Sequence, residues 1–65
     1  MWVEQDVRKF KRMLRKAGWK SIGFGNGSHE KFLKDGVTIS VPSGHNGELP
    51  FGTAKTLAQE AGLLK

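Results

Sequence analysis

The sequence predicts an α+β fold of order α-β-β-β-α. Its three-stranded antiparallel sheet carries both helices on one face, and residues 1–65 form a single domain. Three observations carry this reading: a helical apolar period near the N-terminus, strict alternation over Val37–Val41, and two glycine turns between strand-like segments.

The first helix follows from Val3, Val7, Phe10, Leu14 and Ala17. They recur at intervals of four, three, four and three and draw one apolar stripe, with Met13 at its border. Gly18 stands where a left-handed cap ends such a helix. Trp19 to Phe24 is the first strand, with Ile22 and Phe24 on one side and Gly23 as a weak point or bulge. Gly25-Asn26-Gly27 makes a turn, because Gly and Asn tolerate positive φ. Without a secretion signal, Asn26-Gly27-Ser28 reads as part of that turn rather than as a glycosylation acceptor. Ser28 to Lys34 is the second strand and Asp35-Gly36 a tight hairpin. Val37, Ile39 and Val41 alternate with Thr38 and Ser40 until Pro42 ends the third strand. Ser43 to Phe51 is a loop. Thr53 is the expected N-cap of a second helix with Ala54, Leu57, Ala58, Ala61 and Leu64 on its apolar face. Gly62 caps it and leaves Leu63-Leu64-Lys65 as a tail. Trp19, Phe24, Phe32, Val37, Ile39 and Val41 are assigned to the core, which is thin, because a domain this short buries only roughly 60% of its unfolded surface.

No cysteine is present, so neither a disulfide nor a thiolate metal site staples the fold. No apolar run approaches the roughly 20 residues that cross a bilayer, and the expected location is the cytoplasm of a prokaryote, away from membranes. Eleven Lys and Arg face six Asp and Glu, a net charge of +5, and seven of those bases fall within the first twenty residues. Such asymmetry attracts a polyanion. Arg8, Lys11, Arg12 and Arg15 share a helix face distinct from the apolar stripe and form a candidate phosphate-binding patch.

The segment with most chemical content is Gly27-Ser28-His29-Glu30-Lys31-Phe32. Side chains alternate along a strand, so Phe32 toward the core puts His29 on the opposite face, with Lys31 about 6.6 Å further along. Imidazole exchanges protons near neutral pH, and a neighbouring ammonium stabilises charge on a phosphate. These parts suit metal-free RNA cleavage, with the 2′-hydroxyl as nucleophile. His29 then serves as general base on that hydroxyl or as general acid on the 5′ leaving oxygen. Ser28, beside His29, is counted with Lys31 and the helix patch among the RNA-contacting residues. His45 is an accessory candidate, able to complete an acid–base pair if its loop folds toward the sheet.

Other chemistries fit less well. Gly23-Phe24-Gly25-Asn26-Gly27-Ser28 has a serine at the third glycine of a nucleotide-binding fingerprint and leads into a strand. Two histidines sixteen positions apart, with few acids, argue against a metal site. The carboxylates are scattered rather than paired for glycoside hydrolysis. Trp2, Trp19, Phe24 and Phe51 are able to stack on bases, although Trp19 and Phe24 read as core.

The same run, followed by Asp35-Gly36, Val41-Pro42, His45, Leu49, Gly52-Thr53 and Ala61-Gly62-Leu63, resembles the HicA family of toxins; Leu14, Gly18 and Trp19 fit upstream. The resemblance extends from about Val7 to Leu63. It implies an mRNA interferase of a toxin–antitoxin module, with a fold like the double-stranded RNA-binding domain. It further implies that His29, in Gly27-Ser28-His29, is catalytic, that no cofactor is needed, and that a HicB-type antitoxin is the partner. Where the family often has Gly-Thr-Leu-Arg, this chain has Gly52-Thr53-Ala54-Lys55, so Lys55 is an accessory candidate that keeps the charge but loses the planar fork of arginine. Gly44 and Gly47 are expected to loosen their loop. Two further readings stay open: an RNA-binding module without catalysis, and a protein whose basic face docks only an acidic partner.

Overall fold

The computed structural model describes residues 2–25 and 27–64. Asn26 of the expected turn and Lys65 of the expected tail lie outside the described residues. The elements run α1 (Val7–Lys16), β1 (Lys20–Phe24), β2 (Glu30–Lys34), β3 (Val37–Val41) and α2 (Phe51–Glu60). The strands form one antiparallel sheet of order β1-β2-β3. The α+β order read from the sequence is the order observed. No described helix is long and apolar enough to cross a membrane.

Asp6 starts α1: its side chain accepts from the Lys9 backbone N–H at 3.0 Å and satisfies a first-turn donor. Val7, Phe10 and Leu14 are the buried stripe, while Val3, also buried, precedes the helix. The two helices end alike. In α1, Gly18 at φ +99° lets the Trp19 N–H reach the Leu14 carbonyl at 3.0 Å. In α2, Gly62 at φ +74° lets the Leu63 N–H reach the Ala58 carbonyl at 2.8 Å. The closures are joined, because the buried Trp19 indole N–H donates to the Ala61 carbonyl at 3.2 Å. Lys34, at the end of β2, donates to the Ala17 carbonyl at 2.6 Å and sets a cation at the negative end of α1.

Phe32, Ile39 and Val41 carry the sheet's side of the core, against Phe10, Leu14, Leu49, Ala54, Leu57, Ala58 and Ala61. Burying a side chain such as Phe32 or Leu14 contributes roughly 1.5–3 kcal/mol. Both helices lie on this face. On the other, Lys31, Leu33, Thr38 and Ser40 are exposed. Leu63 and Leu64 pack partly buried against the core rather than trailing as a tail.

Several expectations for the strands and the second helix are corrected. Phe24 is exposed, not core: a bulge at Ile22 (Ser21 pairs with Phe32 but Gly23 with Lys31) puts it opposite Glu30 on the helix side, but there, at the end of an edge strand, it meets the Lys11 ammonium rather than the apolar core. The bulge also breaks the alternation that would have put Ile22 and Phe24 on one side. Val37 is exposed because it pairs with Lys34 at the sheet's open end, beyond the helices' cover. The second strand starts at Glu30 rather than Ser28, since the chain from Gly25 to His29 is taken up by the reversal. Helix α2 begins at Phe51 with Pro50 as its cap, which leaves Thr53 inside the first turn rather than at the N-cap. Pro50 supplies no side-chain cap; its carbonyl accepts the helix's first bond, from the Ala54 N–H at 2.9 Å.

The loop ahead of α2 is tight rather than loose. His45 and Glu48 exchange backbone hydrogen bonds of 2.8 and 3.0 Å around Asn46 and Gly47, at φ 54° and 79°, a type I′ turn. Gly47 accepts from the Val7 N–H at 2.9 Å and Gln5 from the Leu49 N–H at 2.7 Å, which ties the turn to the start of α1. Gly44 sits at φ +75°, and a Cβ there would run into the Glu48 carbonyl, whereas one at Gly47 meets open space. Gly44→Ala is therefore expected to lose about 2–3 kcal/mol or more, and Gly47→Ala about 1 kcal/mol. Urea denaturation of both variants checks this; equal losses would mean that the clash at Glu48 is relieved at little cost.

Candidate functional site

The hydrogen bond from Trp19 to Ala61 gathers the C-terminal ends of both helices at the start of β1. The bond between Leu49 and Gln5 gathers their beginnings at the opposite end of the sheet. Two loops meet there. The Ser43 hydroxyl donates to the Ser28 hydroxyl at 3.1 Å, joining the β1–β2 reversal to the segment after β3. Topology thus brings His29, Ser28, Lys31, His45 and the first turns of α1 to one end of the molecule.

His29 immediately precedes β2 and is exposed. Its carbonyl accepts from the Gly25 N–H at 3.1 Å and closes the reversal. Glu30 and Phe32 point under the helices and are buried, so Lys31 takes the solvent side. The Lys31 stem lies across Gly25, where a Cβ would collide with its Cε, so the missing side chain leaves the lysine room beside the loop. Ser28 is exposed.

Glu30 is the residue around which the inner side of this end is built. Its residue surface is only 8% exposed. Lys11 Nζ lies 2.8 Å from its Oε1, Arg15 Nη2 3.9 Å from its Oε2, and the Ser21 hydroxyl donates to Oε2. The Lys11 ammonium first, then the Ser21 hydroxyl, hold the carboxyl below its usual range near 4.5, although burial pushes the other way. The same cations cover aromatic rings. Lys11 Nζ stands 5.5 Å from the Phe24 centroid and the Arg15 guanidinium 5.6 Å from that of Phe32.

This network divides the basic face of α1. Arg8 and Arg12 are exposed, and Arg15 keeps 55% of its side chain in solvent. Lys11 is 17% exposed and neutralised by Glu30, so it belongs to the scaffold of the site rather than to a free phosphate-binding patch. His45 is exposed in its turn, where it lines an open depression of about 250 Å³ with Gln5, Glu48, Leu49 and Pro50. Lys55 lies half-buried on α2. Glu30 and Ser21 were not singled out in the sequence, and Phe24, exposed here, was assigned to the core. The signal for Glu30 was there: a histidine facing out makes its neighbour face in, and a carboxylate under a helix needs a cation within reach.

A basic helix laid over a three-stranded antiparallel sheet, with an exposed histidine among the loops at one end, defines a small α+β domain of order α-β-β-β-α. The family model described as HicA toxin of bacterial toxin-antitoxin matches residues 7–63. The chain belongs to the HicA toxin family, and membership implies an antitoxin as partner. Neither the search of curated proteins nor that of solved structures returned a match.

The ion pair has a pH signature. The folded carboxyl of Glu30 titrates below the unfolded one, so its stabilisation is complete above about pH 4.5 and is lost as pH falls through the folded value. Glu30→Gln is expected to lower stability at neutral pH by about 1–3 kcal/mol, because Lys11 loses its counter-charge. The variant should also lose less than the parent on acidification. Denaturation midpoints between neutral pH and the acid limb measure both; parallel curves would remove Glu30 as the source.

Proposed function

We propose that this HicA-family chain is a metal-independent endoribonuclease, an mRNA interferase acting in the cytoplasm, with His29 as its acid–base catalyst. The observation that carries the reading is His29 itself: an exposed imidazole at the loop end of the sheet, next to outward-facing Lys31, in a chain of toxin-family descent. In the reaction, the ribose 2′-oxygen attacks the adjacent phosphorus and the bond from phosphorus to the 5′-oxygen breaks. The products are a 2′,3′-cyclic phosphate and a 5′-hydroxyl. One proton leaves the 2′-hydroxyl and one arrives on the 5′-oxygen; His29 handles one of these transfers. Lys31 offsets charge on the phosphoryl oxygens. Ser28 lies at the same loop, and its hydroxyl is positioned by Ser43. His45 and Lys55 are accessory candidates, His45 being at the same end of the fold.

Arg8, Arg12 and the exposed part of Arg15 attract the RNA backbone without taking part in the chemistry. The antitoxin is proposed to be of HicB type and to act by covering the end of the sheet that bears His29. The competing reading, RNA binding without cleavage, draws on the same arginines and predicts that bound RNA is recovered intact.

His29→Ala is expected to reduce RNA cleavage in the presence of chelator by about 100-fold or more. It should leave the thermal midpoint unchanged, since the ring is exposed. Cleavage by the variant at the parent rate would sink the catalytic assignment. Reversing Arg8 and Arg12 to Glu should weaken RNA binding and flatten the dependence of log affinity on log salt. An unaltered salt slope would locate the nucleic acid on another face.

A further inference from the structure

We infer that Gly25 is a positioning residue: its missing side chain is the slot in which the Lys31 stem lies, and that slot sets the Lys31 ammonium beside the loop that carries His29. The inference rests on the ribonuclease reading and adds to it a residue that acts through Lys31 rather than on the RNA.

Gly23 at φ +99° and Gly27 at φ +59° adopt a backbone that side chains rarely allow, so conformation alone accounts for them. Gly25 has no positive φ, and its backbone does not call for glycine. Lys31 does. A Cβ at Gly25 would stand 2.6 Å from Lys31 Cε and 3.2 Å from its Nζ, closer than unbonded carbons approach. The far end of the lysine therefore rests where an alanine methyl would be. Gly25 also holds His29, because its N–H donates to the His29 carbonyl at 3.1 Å. One residue thus touches both groups to which the chemistry is assigned.

The bulge in β1 opens the slot. Lys31 stands on the solvent side of β2, two positions beyond His29, and its stem is able to lean toward either neighbouring strand. Toward β3 it meets Ser40, its cross-strand partner. Toward β1, unbroken pairing from Ser21 opposite Phe32 would set Ile22 opposite Lys31. The bulge sets Gly23 there instead, and Phe24 turns to the helix side opposite Glu30. Gly23 and Gly25 leave the lane beside Lys31 bare, and the lysine lies at the end of it that the His29 carbonyl closes. Confining a long, flexible stem before substrate arrives removes an ordering cost from the reaction.

The test follows cleavage of a short oligoribonucleotide carrying a fluorophore and a quencher, with the purified chain in chelator. Gly25→Ala keeps the N–H that bonds to His29, and its methyl displaces only the mobile end of Lys31, so the thermal midpoint should stay where it is. Its kcat should fall about 10-fold with KM within about twofold, because an ammonium aimed at charge developing on the phosphoryl oxygens acts in the transition state. Lys31→Ala should lower kcat at least as far. Adding Gly25→Ala to Lys31→Ala should cost nothing more, since both changes remove one interaction. An unaltered kcat for Gly25→Ala overturns the inference and leaves Lys31 in its role. Losses that multiply in the double variant overturn it as well, because Gly25 then acts by another route. So does a drop in thermal midpoint that persists in the Lys31→Ala background, which would make the glycine a demand of the backbone. Lys31→Ala cutting at the parent rate removes the lysine and its slot together. A parent chain that cuts no RNA removes the ribonuclease reading itself.

Discussion

The ion pair between Lys11 and Glu30 joins the basic helix to the strand that follows His29. A carboxylate under a helix is unfavourable unless a cation and a donor meet it there, and Lys11 and Ser21 do so from two different elements. Three segments, α1, β1 and β2, are thereby fixed to one another at the end where the loops converge. The contact is local to the candidate site, so the same charges that hold the scaffold also set the orientation of what surrounds His29.

Helix α1 serves several purposes on one turn repeat. Val7, Phe10 and Leu14 close the core, Lys11 meets Glu30, and Arg8 and Arg12 remain in water. A net charge of +5 is therefore not a uniform coat. Part of it is consumed inside the fold, where Lys11 meets Glu30 and Lys34 meets the end of α1, and Arg8 and Arg12 stay in water. For a toxin with an antitoxin partner, such an arrangement makes charge, core and site hard to alter independently.

Periodicity was enough to read the architecture. The stripe from Val7 to Leu14 and the alternation of β3 each express a repeat that only one secondary structure satisfies, and Gly18 and Gly62 mark closures that need positive φ. What alternation could not reveal was the bulge at Ile22, because an extra residue leaves no compositional trace beyond Gly23. Phe24's face was misjudged for that reason and its exposure because β1 is an edge strand, and Val37 because its strand outruns the helices. Of the site, the outward position of His29 was legible from Phe32. The neutralisation of Lys11 was not, since it depends on a contact between residues 11 and 30 that no local pattern encodes. Thr53 failed as a cap because Pro50 already fixes the chain two residues before Gly52.

The clasp between Trp19 and Ala61 spans 42 positions of a 65-residue chain. Its acceptor and the closing turn through Leu63 follow all three strands in the sequence. A chain cut before them lacks one wall of its core and leaves the indole without its acceptor. Closure of the core is thus a non-local event: the chain between residues 19 and 61 must be drawn in before the indole finds its acceptor, which slows folding relative to a domain held by sequence neighbours.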